Sequence, residues 1–424
     1  MTLAAVEGRP DVIMKSLLEV LKDNGARIFV DSADADRISH TAGQRPPVEL
    51  AGFTSNQKFL HDLALVRRPI SASSRHVGRN PLWIYEQFCA RVASDIKVAA
   101  GNPIEWMSCL PMHLRLCRDP AAALSACRSL KRRIPSAVVK IPFAPNEPGA
   151  LLIARQLESE GIPVNLTCTF SARQCAVAAL LANATWCSIF VGRTNRTTRS
   201  TRFGEGVAVS AQSSLTRFRS IDASRSRLIV AGITDREAVL ETAECDALTI
   251  PCDVVESLGE RAAPGSVVRL GTSDLDTIGL VPGDVVHQLG VARIAAMYRV
   301  EAELVEFLLE MKDGPLTECR SGDELFRLFD RSGFGDLFYS PSVTEWQEAR
   351  RNRVPDLNGD LARKLPLDTL LSLLAFGDFQ RHQEALDDAL EHVDWPEAAD
   401  PDSFRSSLAR ATDHAFVETG DSSR

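Results

Sequence analysis

Eight short apolar runs recur between residues 26 and 262, separated by longer stretches of helical period, and no other feature constrains the fold as strongly. The candidate strands are Arg27–Val30, Val48–Gly52, Ile104–Cys109, Ala137–Ile141, Val164–Leu166, Cys187–Val191, Leu228–Ala231 and Ala247–Ile250. The intervening segments Gln57–Val66, Pro81–Ala93, Pro120–Lys131, Gly149–Glu160, Ala172–Leu181 and Arg236–Thr242 read as helices. Near-continuous apolar strands joined by helical crossovers belong to parallel sheets covered on their outer face. Eight such units predict closure into a (β/α)8 TIM barrel of the α/β class. An open doubly wound sheet is the alternative, but no glycine-rich phosphate loop follows the first strand to support it.

The rest of the chain is organised around this unit. Residues 1–25 precede the barrel, and Asp11–Asp23 carries Val12, Leu17, Leu18 and Leu21 at or near one face of an amphipathic helix. Beyond Pro264 the alternation stops. Val291–Met311 reads as one long helix, and Asp323–Arg331, Leu367–Leu373 and Gln380–Val393 read as further helices. Residues 263–413 therefore form a helical C-terminal extension, with a disordered tail over 414–424.

The formal net charge of -8 argues against nucleic acid or an anionic membrane surface as partner. No apolar run is long enough to span a bilayer and no secretory leader stands at the N-terminus, so the expected location is the cytoplasm. The ten cysteines form no CxxC pair and no zinc-like spacing, which makes them small core residues of a reducing compartment.

Lys140 is the residue with the most chemistry in it. It sits in Val138–Pro142 (VVKIP), surrounded by apolar neighbours in a strand. An ammonium held there must be paired or partly neutral, and a desolvated lysine is the amine needed to form an imine with a carbonyl. The other reading is a strand-edge lysine whose head reaches solvent.

Residues 138–193 resemble the middle of the transaldolase family, whose members are Schiff-base (class I) aldolases. The family's lysine strand reads IKIP or VKIP, followed by a helix ending EGI, then NLT, then a helix beginning FS, then a strand ending SPFVGR. Here the matching segments are Val139–Pro142, Glu160–Ile162, Asn165–Thr167, Phe170–Ser171 and Ser188–Arg193. Ile28–Asp34 (IFVDSAD), Phe53–Asn56 (FTSN) and Cys245–Pro251 (CDALTIP) are similar to the family's first, second and last strand ends, which extends the resemblance over about residues 26–262.

The resemblance implies a transferase that moves a dihydroxyacetone unit from a ketose or ketose phosphate to an aldose, the reaction class of the pentose phosphate pathway. It implies Lys140 as the Schiff-base lysine, Asp31 as the acid/base group and Thr167 as holder of a water. Asn56 and Asn165 would bind substrate hydroxyls, Ser188 and Arg193 would face a phosphate, and Phe190 would line the site. Two positions depart from the pattern. The family's strand-three glutamate has no direct counterpart, and Glu105, two residues before Met107 and so on its face of a strand, is the substitute. At the end of strand seven, alignment puts Ile233 and Asp235 where a serine and an arginine are usual, with Arg236 one residue late.

The reaction calls for no metal or organic cofactor, because the protonated imine is itself the electron sink. Sugars or sugar phosphates are the expected partners, with a homodimer left open. Two other readings stay in view: an aldolase that releases free dihydroxyacetone, and an inactive barrel that binds a sugar or a protein. Phe190, and the lack of a tyrosine in NLTCTFS, favour the transferase over the aldolase.

Overall fold

The structure, a computed structural model, describes residues 17–43, 50–55, 81–258 and 277–392. Strands β1 (Arg27–Asp31), β2 (Gly52–Thr54), β3 (Met107–Pro111), β4 (Ala137–Pro142), β5 (Val164–Thr169), β6 (Trp186–Phe190), β7 (Arg227–Ala231) and β8 (Ala247–Ile250) pair in chain order, all parallel. β8 returns to β1 and closes the barrel. The expected (β/α)8 barrel with a helical C-terminal extension is what the chain forms.

Around the barrel lie α1 (Leu17–Asp23), α2 (Ala35–Ala42), α3 (Pro81–Ala99), α4 (Pro120–Arg133), α5 (Gly149–Ser159), α6 (Ala172–Leu181), α7 (Val191–Thr198), α8 (Phe203–Ser220), α9 (Arg236–Glu241) and α10 (Cys252–Leu258). Local chemistry starts several of them. The Asp119 carboxylate accepts from the Ala122 N–H at 3.0 Å while Pro120 opens the first turn of α4, and Ser171 caps α6 on the Gln174 N–H at 3.2 Å. Asp34 caps α2 through the N–H groups of Asp36 and Arg37, at 2.9 and 3.2 Å, which leaves Asp31 free of that duty.

The strand period of two divides each strand cleanly. Ile28, Val30, Leu110, Val139, Ile141, Val164, Leu166, Ile189, Val230 and Leu248 face the helices in the main core. Phe29, Met107, Cys109, Val138, Trp186, Ile229 and Ala247 form a separate apolar cluster inside the barrel. Phe29 and Trp186 meet edge to face there, with centroids 5.8 Å apart. Two residues further along β1, β4, β6 and β8, toward the C-terminal rim, the inner face becomes polar, with Asp31, Lys140, Ser188 and Thr249.

The extension contains α11 (Gly283–Leu289), α12 (Val291–Tyr298), α13 (Ala302–Asp313), α14 (Gly322–Arg331), α15 (Val343–Arg351), α16 (Asp360–Lys364) and α17 (Leu367–His392). Two expectations change here. The single helix Val291–Met311 is broken, because Arg299 and Glu301 adopt extended backbone between α12 and α13. The two helices Leu367–Leu373 and Gln380–Val393 are instead one, α17, which runs through Gly377. A Cβ at Gly377 would come within 3.1 Å of the Arg350 Cα, so the glycine lets α15 and α17 pack backbone to backbone. The helix read at Gln57–Val66 and the boundary at residue 263 lie outside the described residues. No helix among the described residues is long and apolar enough to cross a membrane.

Candidate active site

The polar layer at the C-terminal ends of the strands is where a barrel of this type presents its chemistry. Lys140 stands on the inner face of β4, two residues beyond Val138 of the apolar floor, and only 6 % of it is exposed. Its Nζ donates to the Ser55 carbonyl oxygen at 3.2 Å. The strand-edge alternative, with the amine in open solvent, does not describe this residue. Burial pushes its pKa below the usual lysine value, and the carboxylate of Asp31 pulls partly the other way.

Asp31 ends β1 on the same inner face, two residues beyond Phe29. Desolvation raises its carboxyl to about 6 despite the pull of Lys140. Amine and acid thus meet in an environment that moves both toward neutral pH, a property of proton-transfer sites.

β5 supplies Asn165 and Thr167, which pair in register with Lys140 and Pro142 of β4. Asn165 is fully buried, and its Oδ1 accepts from Ser188 Oγ of β6 at 2.8 Å. Its Nδ2 and the Thr167 Oγ1 are buried without any hydrogen-bond partner. Unsatisfied buried polar atoms are rare in folded proteins, and here two adjoin the buried amine. Phe190, at the end of β6, stacks on Phe170 with centroids 5.6 Å apart and meets Phe379 of α17 edge-on at 6.4 Å. Lys140, Asp31, Asn165, Thr167, Ser188 and Phe190 therefore share one end of the barrel.

Glu105 does not join them. It is exposed and precedes β3, at the opposite end of the barrel from Lys140. The inner positions of β3 are Met107, Cys109 and Pro111, so this strand brings no carboxylate to the amine. The face-sharing argument for Glu105 fails because the strand begins after it. Asn56 lies outside the described residues.

Arg193, in the first turn of α7, reaches the rim but is already engaged, with Nη2 donating to Asp378 of α17 at 2.9 Å. Arg236 opens α9 just beyond β7 and makes no ion pair with a described carboxylate. Its neighbour Asp235 caps α9 on the Ala238 N–H at 2.8 Å and accepts from Arg202 at 3.0 Å. That carboxylate is thereby held in a local ion pair.

The sequence reading missed the part played by α17. Ser372 Oγ donates to the Cys168 carbonyl at 2.7 Å, and the buried Asp368 accepts from Ser171 at 2.6 Å and from Arg173 at 2.7 and 2.8 Å. These contacts hold the helix against the end of β5 and the start of α6. The signal was present in the sequence, where Asp368, Ser372 and Asp378 interrupt an otherwise apolar stretch. His113 also ties to this helix. Its Nδ1 accepts from the Arg115 N–H, so Nε2 carries the proton and donates to Asp387 at 3.0 Å. Among the described residues no three His, Cys, Asp or Glu side chains converge as a metal site would require.

The family model described as Transaldolase/Fructose-6-phosphate aldolase matches residues 28–279, a span that contains every strand above except the first residue of β1. A protein of Myxococcus xanthus (strain DK1622) named "Probable transaldolase" is 24 % identical over 256 residues, covering 59 % of this chain and 95 % of that protein. Proteins of the same name from Desulfatibacillum aliphaticivorans and Aquifex aeolicus (strain VF5) are 36 % and 37 % identical over 123 residues, 28 % of this chain. The chain spans about half the length of these last two relatives, 52 % of each. Barrel closure, the buried lysine at the end of β4 and the match across more than half of the chain lead to one assignment: this chain belongs to the transaldolase/fructose-6-phosphate aldolase family.

Proposed function

We propose that the protein is a transaldolase-like enzyme, transferring a dihydroxyacetone unit from a ketose or ketose phosphate to an aldose through an imine on Lys140. The observation that carries this reading is a nearly buried lysine amine facing the interior polar layer beside a raised carboxyl. A lysine of lowered pKa is uncharged often enough to attack the C2 carbonyl, and loss of water leaves a protonated imine. Asp31 then takes the proton of the C4 hydroxyl, the C3–C4 bond breaks, and the aldehyde departs while the electron pair moves into the imine to give an enamine. The enamine carbon adds to the carbonyl of an acceptor aldehyde, and Asp31 returns its proton to the new alkoxide. Water attacks the resulting imine and frees Lys140. The vacant hydrogen-bonding capacity of Thr167 and Asn165 suits that water and the substrate hydroxyls.

In this reading Ser188 and Phe190 shape the sugar-binding wall, and Arg193 and Arg236 lie at the rim where the far end of the substrate emerges. Glu105 has no role in it. The aldolase alternative differs only in the fate of the enamine, which is protonated at carbon and released as dihydroxyacetone.

The test is a donor–acceptor assay with fructose 6-phosphate, with and without erythrose 4-phosphate. Transfer predicts glyceraldehyde 3-phosphate release that depends on the acceptor. Release at equal rate without an acceptor identifies the aldolase. No turnover and no imine with any ketose tested would mean an inactive binding barrel.

A further inference from the structure

α17 lies beyond residue 279, where the match to the family ends, yet it touches the barrel rim at three strand ends. Ser372 Oγ donates to the Cys168 carbonyl of β5, the Phe379 ring meets Phe190 of β6, and Asp387 accepts from His113, two residues past β3. β3 and β5 flank β4, so the helix runs along the side of the mouth that holds Lys140.

Helical spacing singles out one more residue on this face. Ser372, Phe379 and Gln383 stand seven and four positions apart, which lines them up along one side of a helix. Ser372 and Phe379 both meet strand ends, so Gln383 faces the mouth as well. At 1.5 Å per residue it lies about 6 Å along the axis from Phe379 and about 6 Å from Asp387. Over that interval α17 passes from β6 toward β3, and the strands between them are β4 and β5, which carry Lys140, Asn165 and Thr167.

The Gln383 amide has one orientation. The residue is 2 % exposed, and its Nε2 donates to Asp387 Oδ1 at 3.0 Å, the oxygen that also accepts from His113. An ionised carboxylate only accepts, so the amide nitrogen faces Asp387 and Oε1 points the other way. Oε1 is buried and meets no hydrogen-bond partner among the described residues. On the barrel side, Asn165 Nδ2 lacks an acceptor and Thr167 Oγ1 lacks any partner. Buried acceptors without donors and buried donors without acceptors both cost free energy. One hydroxyl group satisfies both sides, accepting from Asn165 or Thr167 and donating to Gln383. β3 offers no polar side chain in competition, because its inner residues are Met107, Cys109 and Pro111.

We propose that Gln383 is a further substrate-binding residue, supplied by the extension, whose Oε1 accepts a hydrogen bond from a hydroxyl of the dihydroxyacetone unit held on Lys140. Asp387 and His113 are positioning residues that fix the amide from behind. The extension thereby takes part in selecting hydroxylated over plain ketones. This role rests on the Schiff-base reading of Lys140.

Borohydride trapping on the full chain tests it without turnover. With dihydroxyacetone, the concentration that half-saturates the Lys140 adduct should rise by roughly fivefold or more in Gln383→Met, and in the same direction in Gln383→Asn, whose amide is drawn back by one methylene. With acetone, which has the carbonyl but no hydroxyl, both variants should stay within about twofold of wild type. Equal loss with both ketones, together with lower thermal stability, marks a purely structural glutamine and overturns the proposal. An unchanged dihydroxyacetone curve in folded Gln383→Met overturns it too, while the wild-type adduct keeps the Schiff-base reading intact. Wild-type protein that takes up both ketones equally well overturns it even if neither variant folds. No adduct on Lys140 with either ketone removes the Schiff-base reading and this role with it.

Discussion

Replacing Asp31 by asparagine should separate the stability of the barrel mouth from its chemistry. The carboxyl of Asp31 is raised from 3.8 to about 6 in the folded protein, so the native state holds its proton more tightly than the unfolded chain does. Stability from this group is then present in full below about pH 4 and is lost as the pH climbs through about 6. At about 1.36 kcal/mol per tenfold change in proton affinity, the ionised carboxylate destabilises the native state by up to about 3 kcal/mol at neutral pH. Part of the residue is open to solvent, and screening there lowers the figure. Asp31→Asn removes the ionisation. Urea unfolding of both proteins from pH 4 to pH 8 should show the variant gaining on the wild type by about 1–3 kcal/mol, with the gap opening between pH 4 and 6.5. Turnover should meanwhile fall by about 10²–10⁴-fold, the usual worth of a general acid/base. A gap that stays flat or closes with rising pH would refute the electrostatic argument, and unchanged turnover would refute the catalytic one.

Glu105→Gln should leave kcat and KM within about twofold of wild type and stability within about 0.5 kcal/mol, because the residue is an exposed group at the far end of the barrel. Thr167→Val should lower kcat at least tenfold while costing under about 1 kcal/mol in unfolding free energy, since the lost hydroxyl has no protein partner to abandon. Asp368→Ala should destabilise the protein by about 2–3 kcal/mol in urea unfolding, because it leaves the largely buried guanidinium of Arg173 with Asp336 as its one remaining carboxylate and removes the acceptor of Ser171.

Much of this architecture was written locally. β4, β5 and α6 are legible because each is a short apolar run or helix with a cap and a turn at its ends, and Ser171 supplies such a signal directly. Lys140 stood out because one charge in an apolar strand has few structural explanations. The misreadings come from long-range effects. β2 begins at Gly52, later than the apolar run from Val48 implied, because Gly52 is the residue that registers with both Phe29 and Met107. Nothing in Arg299–Glu301 breaks helical period, so the turn between α12 and α13 was invisible, although the packing of Tyr298 on Phe203 accompanies it. Gly377 and Asp378 looked like an interruption, while in the fold they let α17 press against α15 and reach the rim. Asp378 meets Arg193 across 185 positions of sequence, a separation no local pattern reports.

The proposed chemistry depends on one amine condensing with a ketone. Incubation with dihydroxyacetone or fructose 6-phosphate, reduction with borohydride and peptide mapping by mass spectrometry put that directly to the test. The prediction is a single reduced adduct on the peptide that carries Lys140, absent from Lys140→Met. Label on a different lysine, or none with either ketose, would contradict it.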